Sequence, residues 1–278
     1  MTSIAHSTMP FTCYEDALAS DVEPKNQGVQ ALAEERAVAL SFNGVNYAVM
    51  MATPEYLEDF ATGFSLSTGI VQYAGQILDI EIAAGDQDSI LVDVTLSQRA
   101  LHQLKQSQRS LAGTSGCGLC GVAALEQALA PLATSESVAA SALPPVNQLN
   151  DLRGRFQQAQ QHRQRRGAMH AALFVDARGV TVFCREDIGR HNALDKLLGA
   201  CARDGLDLAE GFVALTSRCS LELVQKAVRL KVGTLVSLSS PSDISVRWAQ
   251  KYNLNLLHQP ANGPTRVYSP LPLLNPSE

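Results

Sequence analysis

The sequence has no excess of basic residues, since 22 lysines and arginines stand against 27 acidic side chains and leave a formal net charge of −5. Proteins that bind nucleic acid usually concentrate positive charge on one face. The one basic run, at residues 163–166, is too short for such a face, and a solvated helix end explains it better. We therefore expect no nucleic-acid partner.

Long apolar runs are absent as well. No stretch approaches the roughly 18 unbroken apolar residues that a membrane span needs. Residues 1–24 contain no lysine or arginine, so the cationic start of a secretory peptide is missing. We expect neither membrane insertion nor secretion, and we expect the protein to be cytoplasmic.

Cysteine is sparse, with 6 residues in a chain of 278. This number is too small for a disulfide scaffold, and most of these side chains should be free thiols in a reducing cytosol. Cys184 and Cys201 lie in apolar segments and are expected to be small core residues, while Cys13 lies in a weakly patterned segment. The closely spaced pair Cys117 and Cys120 is the unusual feature.

Four glycines surround this cysteine pair, at Gly113, Gly116, Gly118 and Gly121. Glycine lowers the cost of unusual backbone conformations, so such a loop can move a thiol between partners. A helix is predicted over residues 122–130, directly after the loop. Its positive N-terminal end would favour a nearby thiolate and lower the pKa of Cys120, and also that of Cys117 if its thiol lies close enough.

Three chemistries use a Cys-x-x-Cys pair. A structural zinc site needs two further ligands at suitable spacing, which the sequence does not offer, so we expect no metal. A thioredoxin-like redox motif normally has a more rigid interior than Gly118-Leu119. Sulfur relay needs an exposed nucleophilic cysteine on a flexible arm, with a second cysteine to assist, and fits this loop best. A glycine-rich loop with two incidental cysteines remains the alternative.

The pattern divides the chain into four parts. Residues 1–33 are predicted to be a flexible tail, and residues 34–130 a smaller α+β domain. This domain is predicted to contain a hairpin at Asn43-Gly44, a helix capped by Thr53, and the cysteine loop. Residues 131–145, rich in Ala, Ser and Pro, are predicted to be a linker.

The fourth part, residues 146–278, begins with an amphipathic helix and is then more regular. A hairpin over residues 171–184 is followed by alternating helices and strands up to residue 258. A hairpin followed by such an alternation predicts a mixed sheet with helices on both faces. The predicted fold class is therefore α/β, a three-layer mixed sheet with a smaller N-terminal α+β domain.

A dense polar run lies between Glu186 and Lys196, around the predicted start of a helix. Its side chains could pair with one another at a spacing of four residues on a solvated face. Alternatively, Arg190 and His191 could bind a ligand, because ligands of α/β sheets collect where strands end and helices begin. The sequence is compatible with both interpretations, a solvated face and a ligand-binding site.

Two further strand-to-helix junctions, at residues 216–220 and 239–243, are rich in small hydroxyl residues. Such residues cap helices, but the same geometry also presents backbone N–H groups to a phosphate, and Arg218 adds a fork suited to phosphate oxygens. After the last predicted strand, a rigid loop at residues 259–264 precedes Arg266 and could admit a flat ligand or form a plain turn. We expect a phosphate-bearing ligand near these junctions.

Four groups of residues together resemble the FdhD/NarQ family, the sulfur carriers that active formate dehydrogenase requires. They are Gly116-Cys-Gly-Leu-Cys-Gly121, His170-Ala-Ala, Glu186-Asp-Ile-Gly-Arg-His191 with Ala193-Leu-Asp-Lys196, and Ser217-Arg218 with Val224-Gln-Lys226. The resemblance extends from about residue 37 to residue 268. It implies a fold similar to that of cytidine deaminases, and it implies a homodimer.

The resemblance also implies a function. The protein would receive sulfur from a cysteine desulfurase as a persulfide on Cys117, with Cys120 as its partner. It would then transfer the sulfur to the molybdenum cofactor, in its bis(molybdopterin guanine dinucleotide) form, before that cofactor enters formate dehydrogenase. The implied cofactor-binding stretch consists of Gln259, Pro260, Ala261, Asn262, Gly263 and Pro264. The chain departs from the family pattern here, because the arginine is displaced to Arg266.

Two other functions are compatible with the same residues. A chaperone could hold the cofactor without transferring sulfur, using Arg190, His191, Arg218 and the loop at residues 259–264. A zinc-binding structural module is the other function, in which the cysteine pair would bind the metal.

Overall fold

A computed structural model describes residues 8–12, 27–112, 132–133, 136–160 and 169–270. Cys117, Cys120 and the predicted helix over residues 122–130 lie outside these ranges. The described residues form twelve strands, seven α-helices and one short 3-10 helix, Ala74–Gln76. The strands are β1 (Thr8–Thr12), β2 (Gln27–Ala31), β3 (Arg36–Phe42), β4 (Val45–Ala52), β5 (Ile77–Ala84), β6 (Ile90–Leu96), β7 (His170–Asp176), β8 (Thr181–Asp187), β9 (Gly211–Leu215), β10 (Thr234–Ser237), β11 (Asn255–His258) and β12 (Arg266–Ser269).

The helices alternate with these strands, most regularly after β8. They are α1 (Leu57–Ser67), α2 (Gln98–Ala112), α3 (Val146–Leu149), α4 (Leu152–Ala159), α5 (Arg190–Arg203), α6 (Leu221–Arg229) and α7 (Asp243–Lys251).

The chain folds in two halves, the first containing β3 to α2 and the second containing α3 to β12. The first half is built on a four-stranded sheet in the order β4–β3–β6–β5. The hairpin predicted at Asn43-Gly44 is confirmed, and both residues have positive φ, 50° and 75°. Alternate residues of β3 and β6 point inward, where they pack against Phe60 and Phe64 of α1. This half therefore has a hydrophobic core of its own.

The second half is a six-stranded mixed sheet in the order β12–β11–β10–β9–β7–β8. Helices α5, α6 and α7 cover one face, and the short helices α3 and α4 cover the other. Strands β9, β10 and β11 run parallel, while β7 runs antiparallel to β9. The predicted α/β class and the mixed sheet between two layers of helices are confirmed; the likeness to cytidine deaminases stays a prediction.

The two halves meet along helices α1 and α5, which cross at Gly63 and Gly199. A Cβ atom at Gly63 would lie 1.7 Å from the carbonyl oxygen of Asp195, and one at Gly199 would lie 1.9 Å from that of Asp59. No side chain fits at such distances, so both glycines are required for the two backbones to approach this closely. The crossing holds the two sheets in a fixed relation.

Several predicted boundaries differ from the structure. Thr53 does not cap α1, because that helix begins four residues later, after Tyr56 in a left-handed conformation. The helix predicted from residue 147 is two helices, since Asp151 accepts a hydrogen bond from the backbone of Gly154 and starts a new one. Strand β12, which follows the loop at residues 259–264, was missed.

The structure describes parts of two of the predicted segments, the tail and the linker. Residues 8–12 and 27–31, within the predicted tail, pair as antiparallel strands. In the predicted linker, Leu132 and Val138 are buried in the core of the second half. The hydroxyl of Tyr252 donates to the carbonyl of Leu132 at 3.0 Å, and Val138 N–H donates to the carbonyl of Tyr252 at 2.9 Å. These residues are fastened to the second half; the four-part domain division itself stays a prediction.

Candidate functional site

One edge of the six-stranded sheet brings together the predicted ligand-binding residues. Because β9, β10 and β11 are parallel, the segments that follow them, at residues 216–220, 238–242 and 259–264, all emerge at the same edge. Strand β7 begins there and β8 ends there, since His170 pairs with Asp187. Arg190 and His191 follow directly after β8, and Arg218 follows β9. We call this the carboxyl edge.

Arginines give the carboxyl edge a positive character. Arg153 donates to the carbonyl oxygen of Leu238 at 3.1 Å. Burial, followed by the charges of Arg266 and Arg153, lowers the pKa of His258. Burial and the charge of Arg190 likewise lower the pKa of His170, against the opposing charge of Asp187. Arg218 is exposed at the same edge. Guanidinium groups spread along a strand-end edge suit a ligand with several phosphate oxygens.

The two serine-rich junctions play different parts. Ser242 caps α7, since its hydroxyl accepts a hydrogen bond from the backbone of Ser245 at 3.4 Å. The capping interpretation is therefore right for this serine. Ser220 precedes α6 but makes no side-chain capping bond, and its hydroxyl lies 3.4 Å from Nε2 of His191. The junction at residues 216–220 therefore faces His191, one of the predicted ligand-binding residues.

The loop at residues 259–264 is mostly exposed and follows β11 at the carboxyl edge. It begins with Gln259 N–H donating to the carbonyl of Ser237 at 2.9 Å, and Gly263 has a φ of 97°. Ahead of this loop, His258 is buried, and its Nδ1 has no hydrogen-bond partner among the described residues. Neither His258 nor Arg153 was singled out from the sequence as a binding residue, because neither lies in a recognisable motif.

Asp187 is the hub of the polar run. Its Oδ2 accepts from Lys196 Nζ at 2.7 Å and from the hydroxyl and backbone N–H of Thr53 at 2.7 and 3.0 Å. Its Oδ1 accepts from Gly189 N–H at 2.7 Å and from the amide of Asn192 at 3.1 Å. Asp187 and Lys196 are fully buried, and burial lowers the pKa of Lys196.

Asp195 and His191 also find partners on other elements rather than one helical turn away. Asp195 accepts from Lys226 of α6 at 2.7 Å and from Ser67 of α1 at 2.6 Å. His191 Nε2 lies 2.7 Å from Oε2 of Glu222. The interpretation of the run as a solvated face is therefore wrong for Asp187 and Asp195, whose contacts tie the two halves together.

A cleft of about 690 Å³ lies between the halves. Its apolar wall includes Tyr47, Met50 and Leu132, and its polar wall includes His191, Asn192 and Asp195 of α5 with Glu222 and Lys226 of α6. The volume is within the range of ligand-binding clefts. Glu222 was not predicted, since no sequence spacing connects it to His191.

The described cysteines have poorly reactive thiols. Burial raises the pKa of Cys184, Cys201 and Cys219 to about 12 each. A thiol with so high a pKa is protonated at neutral pH and is a weak nucleophile. The prediction that Cys201 is a small core residue is confirmed, and Cys184 is half-buried.

None of the helices in the described ranges is both long and apolar enough to cross a membrane.

Comparison with known proteins agrees with the motif resemblance. A sulfur carrier protein FdhD from Cupriavidus necator is 44% identical over 228 residues, which cover 81% of this chain and 77% of the relative. One from Bordetella petrii is 41% identical over 239 residues, covering 86% of this chain and 84% of the relative.

Among solved structures, one from Desulfotalea psychrophila matches with a TM-score of 0.68 and 17% identity, covering 95% of this chain and 96% of that one. Its description assigns it to the formate dehydrogenase accessory proteins. At this identity the match supports the fold alone. The family model described as FdhD/NarQ family matches residues 33–272. As the motifs predicted, the chain belongs to the FdhD/NarQ family.

Proposed function

We propose that this protein is a sulfur carrier for formate dehydrogenase, a sulfurtransferase that holds sulfur as a persulfide on Cys117. Its relatives of about 40% identity bear the name sulfur carrier protein. The observation that supports Cys117 from within the chain is the state of the described thiols. Three cysteines have pKa values near 12, so nucleophilic sulfur chemistry falls to the remaining cysteines, of which Cys117 and Cys120 form the Cys-x-x-Cys pair.

The loading step is a thiol exchange. The sulfur of Cys117, as thiolate, attacks the outer sulfur of a persulfide on a cysteine desulfurase. A bond forms between these two sulfurs, the sulfur–sulfur bond of the donor breaks, and the donor leaves as a thiolate. No external oxidant is needed, because the sulfane sulfur keeps its oxidation state. Cys120 assists the later release.

The acceptor substrate is the molybdenum cofactor in its bis(molybdopterin guanine dinucleotide) form. Its phosphates suit the carboxyl edge, where Arg190, Arg218 and Arg266 lie near the ends of parallel strands. The exposed loop at residues 259–264 would admit the flat ring systems. The family pattern has a basic residue within this loop, whereas this chain carries Arg266 after the loop, in β12. We propose that the carrier acts in the cytoplasm as a homodimer.

The test is rescue of formate dehydrogenase activity in cells that lack their own carrier. Wild-type protein and the Cys184→Ala variant should restore activity, whereas Cys117→Ala should not. Restored activity with Cys117→Ala would contradict the assignment.

A cofactor-binding chaperone is the second candidate, and the positive carboxyl edge favours it as much as it favours a carrier. The double variant Cys117→Ala, Cys120→Ala separates the two functions. A chaperone without sulfur chemistry would still rescue activity with both thiols removed, and a carrier would not. Metal analysis of the freshly purified protein tests the third candidate, a zinc-binding structural module. Stoichiometric zinc would contradict a sulfur relay.

A further inference from the structure

A row of apolar residues crosses the four-stranded sheet of the first half, on the face opposite α1. Alternate residues of β3 and β6 point toward α1, so their neighbours in sequence point away from it. On that outer face the register aligns one residue from each strand: Val49, Ala39, Leu91 and Ala83. Val49 is 67% exposed and Leu91 is 47% exposed. We call this row the outer strip.

The outer strip continues at one end into a further exposed apolar residue. Met51 follows Val49 by two residues on the same face of β4 and is 51% exposed. An apolar side chain that stays in water contributes nothing through burial, so these residues do not serve the core of the first half. Contiguous apolar surface of this kind, when polar residues border it, is typical of sites that bind another macromolecule.

The charge beside the outer strip has one sign. The hairpin of β5 and β6, residues 77–96, contains five acidic residues and no lysine or arginine. Glu81 and Asp93 are paired next to the outer strip on the same face, and Glu81 is exposed. In the hairpin of β3 and β4, residues 36–52, the one basic residue is Arg36, which pairs with a neighbouring glutamate at 2.6 Å. The border of the strip is therefore acidic.

This charge decides which partner fits. Nucleic acid and the anionic surface of a membrane are repelled by an acidic border. A second copy that presented the same face about a two-fold axis would supply only further acidic residues, and carboxylates would lose water without gaining a counter-ion. A protein surface with apolar residues beside lysine or arginine satisfies both the strip and its border.

We propose that the outer strip and the acidic hairpin at residues 77–96 form a docking surface for a protein partner whose contact surface is apolar with a basic border. The surface belongs to the first half, whereas the carboxyl edge belongs to the second half, so partner and cofactor use different sheets. Apolar contact supplies the affinity, and the acidic border speeds association and makes it sensitive to salt. The proposal goes beyond the proposed function, which sets only the partners to test.

A sulfur carrier must meet the cysteine desulfurase that loads it and the formate dehydrogenase that it serves. The experiment measures binding of the full chain to each of these purified proteins by calorimetry, at low and at high salt. Val49→Lys places a positive charge in the outer strip, and Glu81→Lys reverses the charge at its border. We expect each variant to weaken binding of at least one of the two proteins roughly tenfold or more at low salt. High salt should weaken wild-type binding more than binding of Glu81→Lys.

Two matched controls carry the same substitutions on the second half. Val146, in α3, is 70% exposed, and Glu210 is exposed just before β9. Val146→Lys and Glu210→Lys should bind both proteins as the wild type does. Thermal unfolding should show all variants folded, and light scattering should show the same oligomeric state for each.

Three outcomes overturn the proposal. They are wild-type affinity of Val49→Lys and Glu81→Lys for both proteins, absence of wild-type binding to either protein, and a smaller oligomer for Val49→Lys, which would assign the face to a second copy. The carrier function is judged separately, by rescue of formate dehydrogenase with wild-type protein and its loss with Cys117→Ala. That result would leave the carrier function standing in all three cases.

Discussion

At the scale of single residues, the carboxylate of Asp187 accepts five hydrogen bonds. It is a fully buried carboxylate that takes hydrogen bonds from Lys196, Thr53, Gly189 and Asn192. Desolvating such a charge is costly, and its attraction to Lys196 compensates only while every partner is in place. Because Thr53 and Asp187 are 134 residues apart in sequence, the pair joins the two halves of the molecule.

Replacing Asp187 by Asn should therefore destabilise the protein by about 3–5 kcal/mol, because the charge of Lys196 would remain buried without its counter-ion. Urea unfolding at pH 7 measures the effect. Asp243→Asn is the control, since Asp243 pairs with Arg247 at an exposed position one helical turn away, and it should cost about 1 kcal/mol or less. Equal effects of the two substitutions would refute this account of the hub.

The sequence could predict that polar side chains gather between Glu186 and Lys196, but not their partners. Spacing along a helix suggests pairs four residues apart, such as Asp187 with His191. The structure instead pairs Asp187 with Thr53 and His191 with Glu222. These contacts depend on how the two sheets are placed, which local patterns do not contain. For the same reason Thr53 was assigned as a helix cap, although its hydroxyl is used in the hub.

At the scale of elements, regular turns and alternating patterns were predictable. Asn43-Gly44 specifies a tight hairpin because both residues tolerate positive φ. The alternation of helices and strands after β8 was likewise predictable from periodicity. Strand β12 was missed because it is only four residues long and its one buried residue is Ser269, so it has no apolar pattern. The crossing of α1 and α5 was also unpredictable, since a glycine in a helix gives no sign of which backbone lies against it.

The close crossing of α1 and α5 makes any side chain at Gly63 or Gly199 costly. Gly63→Ala and Gly199→Ala should each destabilise the protein by about 3 kcal/mol or more, because the added methyl group would meet a backbone carbonyl rather than a flexible side chain. Thermal or urea unfolding would show it. Arg99→Ala, at an exposed position in α2, should change stability by no more than about 0.5 kcal/mol. Alanine variants as stable as the wild type would mean that the helices do not approach this closely.

At the scale of the whole molecule, three histidines make stability depend on pH. Burial is the main cause that lowers the pKa of His170, His191 and His258 below the ordinary value of 6.5. In the unfolded chain these side chains take up protons as the pH falls through about 6.5, while in the folded chain they do so only at a lower pH. The unfolded state then binds more protons, so stability falls as the pH falls.

We therefore expect the melting temperature to decrease between pH 7.5 and pH 5.5. His258→Gln should reduce this decrease, whereas His102→Gln, which replaces an exposed histidine, should leave it unchanged. Scanning calorimetry in buffers of constant ionic strength measures both. A melting temperature that stays constant or rises over this interval would contradict the burial of these rings.

At the scale of the whole molecule, the carboxyl edge and the cleft between the halves lie on one framework, and the proposed function uses the carboxyl edge to bind the acceptor of the sulfur. The attacking group at the centre of this account is the thiol of Cys117. Incubation with a cysteine desulfurase and cysteine, followed by peptide mass spectrometry without reductant, tests it most directly. The account predicts one added sulfur atom on the peptide that contains Cys117, and none there in the Cys117→Ala variant. Added sulfur on Cys184, Cys201 or Cys219, with an unmodified Cys117, would contradict it.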